Sequence, residues 1–402
     1  MPAPPKHRWI FAPRFRARSF GWRSQPAVQR VKEAVAEIKK VARKDPVLGA
    51  EGAIRFLEKV SPALEQVDSS SGAIGTAVNR AIEAFVPIIA AAPVDRKTRA
   101  RWLERLWQAH QDDKIPYIET LGDYWGELCT SPELASQWAD QTKSIVERIW
   151  GPLHRPGDFF HGTSACLSAL LAAGRHEELL ELIEKAPHRW WHDRKFGVQA
   201  LAAMGRADEA LAYAEETSID ELRPFAISGL CETILLDAGR ADEAYERHAI
   251  AANQKTTRLA TFRAIARKYP HKERAAILAD LIRSTPGDEG KWFATAKELG
   301  LYDLAVQLAQ ASPCDPHTLN RAARDHLERD PDFALEVALA SLHWLVAGYG
   351  YEITSVDVLQ AHDSAIKAAQ ALGREAEIRT RIRELVAHDC SVGGFVGRVL
   401  GG

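Results

Sequence analysis

The stretch that decides the fold is Met204-Gly205-Arg206-Ala207-Asp208-Glu209-Ala210-Leu211. Helix-forming residues run up to a glycine, the residue best suited to a left-handed C-cap, and a second helix starts at once with acids in its first turn. The same pattern stands upstream as Ala173-Gly174-Arg175-His176-Glu177-Glu178-Leu179. It returns downstream as Ala238-Gly239-Arg240-Ala241-Asp242-Glu243-Ala244, as Leu299-Gly300-Leu301-Tyr302-Asp303-Leu304-Ala305 and as Leu372-Gly373-Arg374-Glu375-Ala376-Glu377-Ile378. Successive glycines stand 31, 34, 61 and 73 residues apart. The 61-residue gap is two periods, with Tyr269-Pro270-His271-Lys272-Glu273 as the degenerate turn inside it. The 73-residue gap holds a further turn at Asp330-Pro331-Asp332 and then one longer unit. Self-similarity at this period implies helical hairpins that bury their apolar faces only by stacking on neighbours.

Outward from the repeat, apolar residues keep helical spacing and no run of β-branched residues has period two. Val28, Val31, Val35, Ile38 and Val41 form one stripe; Ala53, Phe56, Leu57, Val60 and Leu64 form the next. After the loop Asp68-Ser69-Ser70-Ser71-Gly72 come Val78, Ile82, Phe85 and Ile89, then helices around Trp102 to Trp107, Ile118 to Leu128 and Trp138 to Trp150. Five of the eleven tryptophans lie between Trp102 and Trp150, where helical spacing assigns them to packing. The 402 residues are 46% hydrophobic and 26% charged, a globular composition too long for one compact core. No run approaches the ~20 apolar residues of a membrane span; the longest candidate, Ala84 to Val94, is broken by Pro87 and Pro93. Five singly scattered cysteines exclude a disulfide scaffold.

The segment from about Phe159 to Ala387 resembles the tetratricopeptide-like superfamily of helical hairpins. Its strongest unit is Phe196 to Glu216, where Gly205 and Glu209-Ala210-Leu211 match the turn and second-helix start. The aromatic-Leu-Gly opening of the family's first helix is missing, and no proline reliably closes each unit. The layout also resembles bacterial proteins to which no activity attaches. The resemblance implies an all-α, right-handed α-solenoid. The expected organisation is a basic arm (residues 1–26, irregular), an N-terminal helical region (27–152), tetratricopeptide-like repeats (153–387) and a flexible Gly-rich tail (388–402).

In the resembled family the first helix of each hairpin lines the concave face. Positions ten and six before each turn share one helical face and hold Ser164 and Ser168, Lys195 and Gln199, Gly229 and Thr233, Ala260 and Ala264, Gly290 and Ala294, Asn320 and Arg324. None is a large apolar residue, as suits a ligand groove. Lys195, Gln199, Arg267, Lys268, Asn320 and Arg324 are therefore the expected groove-binding residues, the cations among them favouring an acidic partner segment.

Charge is uneven. Residues 1–44 hold twelve Lys or Arg and two acids, a net of +10, which leaves -12 for the rest of a chain that totals -2. In residues 1–26 the cations interleave with Trp9, Phe11, Phe15, Phe20 and Trp22. Such an arm is suited to phosphates and stacked bases, with Arg14, Arg16, Arg18, Trp22 and Arg23 as the contacts. It is equally suited to lying across the acidic body of its own chain or of a partner. Its prolines argue against the amphipathic helix of a transit peptide, and it lacks a secretory h-region, so the expected compartment is the cytoplasm.

No catalytic constellation emerges. His188 and His192 would share a helical face, but two ligands are too few for a metal site, and His188-Arg189-Trp190-Trp191 reads as a Trp-anchored connection. Gly287-Asp288-Glu289-Gly290-Lys291-Trp292 fails as a phosphate loop: Thr285 replaces the first glycine and Trp292 the magnesium-binding hydroxyl. Gly162-Thr163-Ser164-Ala165-Cys166 is no nucleophile elbow, although His161 beside Ser164 leaves a hydrolytic pair open. Gly348-Tyr349-Gly350-Tyr351 is expected as an inter-helix turn, with ligand-gripping tyrosines as the alternative. The expected protein is a non-catalytic scaffold or adaptor that holds a protein segment in its groove, without metal or cofactor. The alternative is nucleic-acid binding through residues 1–26.

Overall fold

The computed structural model describes residues 7–151, 159–218 and 224–401. Among them are 21 α-helices, two 3-10 segments and no strand. The chain forms two compact units, Met1–Ile234 and Leu235–Gly402.

Unit 1 begins with α1 (Ser24–Ala42), α2 (Pro46–Leu64), α3 (Ala73–Ala90) and α4 (Arg96–Gln111). The expected stripes face inward: Val31 and Ile38 of α1, Phe56, Leu57, Val60 and Leu64 of α2, and Val78, Ile82, Phe85 and Ile89 of α3 are buried together. By length and composition α3 could cross a membrane, yet it packs against both α1 and α2. Asp45 and Asp95 cap α2 and α4 by accepting the Leu48 and Thr98 N–H groups at 2.9 and 2.7 Å. The helix expected over Ile118 to Leu128 is a 3-10 segment, Glu119–Tyr124, running into α5 (Trp125–Cys129). There follow α6 (Pro132–Ile149), α7 (Thr163–Ala172), α8 (His176–Ile183), α9 (Trp191–Ala203), α10 (Ala207–Ser218) and α11 (Pro224–Asp237), within which the units divide.

The arm is irregular, but it is core. Trp9, Phe11 and Phe15 are all less than 5% exposed. Phe15 meets Phe56 edge-on at 5.1 Å, and Trp9 lies over Gly52, where any Cβ would overlap the indole. Polar contacts fix the path. The Ile10 and Phe11 N–H groups donate to the Glu37 carboxylate at 2.7 and 3.0 Å. Arg14 pairs with Glu33 at 3.1 Å and Arg18 with Glu65 at 2.9 Å, and the Arg18 N–H reaches the Pro62 carbonyl at 2.9 Å.

Unit 2 continues with α12 (Ala241–Ala252), α13 (Arg258–Lys268), α14 (Arg274–Arg283), a 3-10 turn (Glu289–Trp292), α15 (Phe293–Glu298), α16 (Tyr302–Ala311), α17 (Pro316–His326), α18 (Pro331–Val346), α19 (Ser355–Ala371), α20 (Glu375–Val386) and α21 (Phe395–Gly401). In each unit many consecutive helices pack on each other, as α1 on α2, α9 on α10 and α17 on α18 do, and several pack also on the helix two further along: α7 on α9, α13 on α15, α16 on α18, α17 on α19.

The repeat glycines are the hinges of this packing. Gly174, Gly205, Gly239, Gly300 and Gly373 all have φ between 68° and 77°. The N–H after each glycine donates to the carbonyl five residues before it, as Arg206 does to Leu201 at 2.9 Å, the closure that satisfies the carbonyls of a helix end. A second device sits on four of the five turns. The arginine after the glycine forks onto the glutamate three residues on, in the pairs Arg175–Glu178, Arg206–Glu209, Arg240–Glu243 and Arg374–Glu377, each within 2.9 Å. The Gly-rich tail carries a last helix, α21. Asp389 accepts the Ser391 and Gly397 N–H groups at 2.8 Å each, and α21 packs on α19.

Candidate functional site

In unit 1 the face expected as a groove is occupied. Ser168 of α7 is buried. Its Oγ accepts the Gly126 N–H and donates to the Asp123 carbonyl, both at 2.9 Å. Lys195 of α9 pairs with the Asp123 carboxylate at 2.6 Å, with 23% of its side chain exposed. Gln199, one turn further along α9, is half-buried. Lys195 is thus a tie between α9 and the 3-10 segment rather than a free groove cation.

In unit 2 the expected residues scatter. Asn320 is not a groove residue: it is 3% exposed, its Nδ2 donates to the Asp357 carbonyl at 2.9 Å, and its Oδ1 accepts from Ser341 at 2.7 Å. Arg324 is exposed and turned onto Asp325 at 3.0 Å. Arg267 and Lys268 are exposed in the last turn of α13. None of these four lines the cleft of unit 2.

A cleft of about 480 Å³ does open across the starts of the first helices, and Gly290 and Ala294 of the expected row line it. Its charges are Lys255, Arg258, Lys291 and Asp315; its hydroxyls include Thr257 and Thr318. The sequence places them there through helix punctuation. Thr257 caps α13 by accepting the Ala260 N–H at 3.2 Å, and Asp315 caps α17 by accepting the Thr318 N–H at 3.1 Å. The turn Gly287-Asp288 then delivers Lys291. Asp288 holds Lys291 at 2.8 Å and Arg258 at 3.0 Å. Those two cations, Lys291 first, keep its carboxyl below the usual aspartate range. Arg258 also lies 5.3 Å from the ring centre of the buried Trp292, whose Nε1–H donates to Thr285 at 2.8 Å. At Gly290 a side chain would collide with the Ser312 and Pro313 carbonyls, so glycine there lets the 3-10 turn pack against the link into α17. Lys255 is exposed and makes no ion pair among the described residues. Three cations against Asp315 and Asp288 make an electropositive cleft, and the backbone N–H groups at the starts of two eleven-residue helices add to its field.

The remaining motifs resolve structurally. Trp191, 6% exposed, anchors α9, while Trp190 stays half exposed between His188 and His192, its ring centre 4.8 and 5.3 Å from theirs. His188 precedes the helix, so the two histidines do not share a helical face. Among the described residues no three His, Cys, Asp or Glu side chains come together as metal ligands. Tyr349 packs edge-on against Trp344 at 5.3 Å, and Tyr351 is 80% exposed. Of the arm residues, Arg14 and Arg18 are spent on Glu33 and Glu65, whereas Arg16, Trp22 and Arg23 point to solvent.

Among the described residues, then, the molecule is an all-helical protein with an electropositive cleft at a run of helix starts in unit 2. No protein-family model matches the chain, and no curated protein matches it.

Proposed function

We propose that this chain is a non-catalytic interaction scaffold, its hairpins belonging to a right-handed α-solenoid of tetratricopeptide-like repeats, and that the unit 2 cleft holds an acidic segment of a protein partner. The observation that carries this is the set Lys255, Arg258 and Lys291 around a cleft of about 480 Å³ that Thr257 and Thr318 also line. Supporting the repeat architecture are the five left-handed glycine turns and the packing of helices on their second neighbours. An extended segment in the cleft sets carboxylates against the cations, and its backbone meets the hydroxyls of Thr257 and Thr318. Lys255 and Lys291 are the exposed members and carry recognition; Arg258, packed by Trp292, fixes the shape of the cleft.

The test is selection from a displayed random-peptide library with the full chain as bait. Enriched peptides are expected to be rich in Asp and Glu. Lys255→Glu with Lys291→Glu should weaken them by about 10- to 100-fold, from two exposed charge pairs each made repulsive, while Lys255→Arg with Lys291→Arg retains them. Neutral or basic winners, or acidic winners indifferent to the double reversal, refute the assignment.

A further inference from the structure

The basic N-terminal segment has a use that its arm alone does not reveal. Only two acids occur in residues 1–44, and the docked arm occupies both: Glu33 takes Arg14 and Arg30, and Glu37 takes the Ile10 and Phe11 N–H groups. The outward face of α1 is left with four cations that no acid pairs among the described residues. At 100° per residue, Lys32, Lys39, Lys40 and Arg43 lie opposite the buried row Ala27, Val31, Ala34 and Ile38. All four are exposed, and among the described residues none forms an ion pair. Ala36 is the apolar residue between them. Eleven residues separate the first cation from the last, about 17 Å of helix axis at ~1.5 Å per residue. That length matches about five phosphates along one strand of a nucleic acid. Immediately before α1, Arg23 is exposed, and Trp22, with its carbonyl tied to the Asp68 N–H at 2.8 Å, shows 72% of its surface. An indole held on a fixed backbone at the N-terminal end of the helix that carries the cationic row is a stacking surface for an unpaired base.

We propose that the outer face of α1, with Arg23 and Trp22, is a sequence-independent binding surface for the phosphate backbone of nucleic acid, with Trp22 favouring single strands. The arm's part is indirect: Glu33 and Glu37 bind Arg14 and the Ile10 and Phe11 N–H groups, so neither carboxylate pairs with the lysines. A lipid surface fits less well, because a helix lying in a bilayer interface needs bulky apolar residues on the face it presents, and this face offers only Ala36.

Fluorescence anisotropy of labelled DNA and RNA strands and of a DNA duplex tests this with the full chain at increasing salt. The log of the affinity should fall with log salt at a slope of about -3 for single strands, from roughly four phosphates neutralised. Lys32→Gln, Lys39→Gln, Lys40→Gln and Arg43→Gln together should weaken binding by at least about tenfold near 50 mM salt and bring the slope close to zero. The four Lys→Arg and Arg→Lys exchanges should retain both. Trp22→Ala should weaken single strands by about five- to hundredfold, as loss of one stacked base does, and leave the duplex unchanged. The replaced side chains are exposed, so unchanged melting separates loss of binding from loss of fold. No binding near 25 mM salt, a slope unchanged in the Gln variant, or binding to phosphatidylserine vesicles without oligonucleotide binding would each overturn the proposal.

Discussion

Phe15→Ala measures how far the arm belongs to the core. Phe15 is 1% exposed, and its ring meets Phe56 at 5.1 Å, Phe20 at 5.3 Å and Phe11 at 6.3 Å. Truncating a buried Phe costs about 3 to 5 kcal/mol where the surroundings cannot collapse. An arm has an escape that an internal helix lacks: it can lift off, so the observed cost is capped at the free energy of docking it. Docking also includes Trp9 and Phe11, the two N–H bonds to Glu37, and the Arg18 to Pro62 bond. The lower end, about 3 kcal/mol, is therefore expected. In urea unfolding followed by far-ultraviolet dichroism the unit 1 transition should move by that amount, equivalent to roughly 6 to 12 °C in melting temperature for a unit of this size. Hydrogen exchange at the Ile10, Phe11 and Arg18 amides should speed up before the rest of unit 1 is affected. Trp22→Ala, at a 72% exposed position, should stay within about 0.5 kcal/mol. A Phe15→Ala cost below about 1 kcal/mol with unchanged exchange would refute the arm as a core element.

Gly205→Ala should cost about 1 to 2 kcal/mol by calorimetry, because its φ is 77° and nothing lies within 4 Å of a new Cβ, so only the backbone objects. Gly52→Ala should act by displacing Trp9, seen as a shift in tryptophan emission rather than in stability alone. Asn320→Ala takes the amide from the Asp357 carbonyl and leaves Ser341 only its 3.5 Å contact with the Pro316 carbonyl, so it should destabilise unit 2 by about 1 to 3 kcal/mol in urea titration. The Glu178 carboxyl, drawn down to about 2 first by Arg175 and then by Lys143 against the opposing effect of burial, should titrate there by NMR; its contribution is present above the ordinary glutamate range and is lost as pH falls toward 2. In a thiol assay of native protein Cys390 should react first, since burial pushes Cys166 up to about 11 and Cys129 and Cys314 up to about 12.

The hairpin turns were legible because their cause is local. A glycine between two helical runs needs no knowledge of the rest of the chain, and all five read from sequence adopt the left-handed conformation. The stripes of α1 to α3 were legible for the same reason. Pairings across sequence were not: Lys195 looked free because its acid, Asp123, lies on a distant segment, and Asn320 looked like a groove amide because its partners are 21 and 37 residues away. The cleft cations were missed for a geometric reason. Counting back from the turns picks out the middles of the first helices, whereas the cavity opens at their starts, where Lys255, Arg258 and Lys291 sit. Capping residues were the available signal, since Thr257 and Asp315 mark those starts in the sequence.

Hydrogen-exchange mass spectrometry of the full chain with a library-selected acidic peptide tests the cleft most directly. Protection is predicted over residues 255–261, 289–294 and 314–318, absent in the Lys255→Glu, Lys291→Glu variant. Protection confined to α7 and α9 would contradict it.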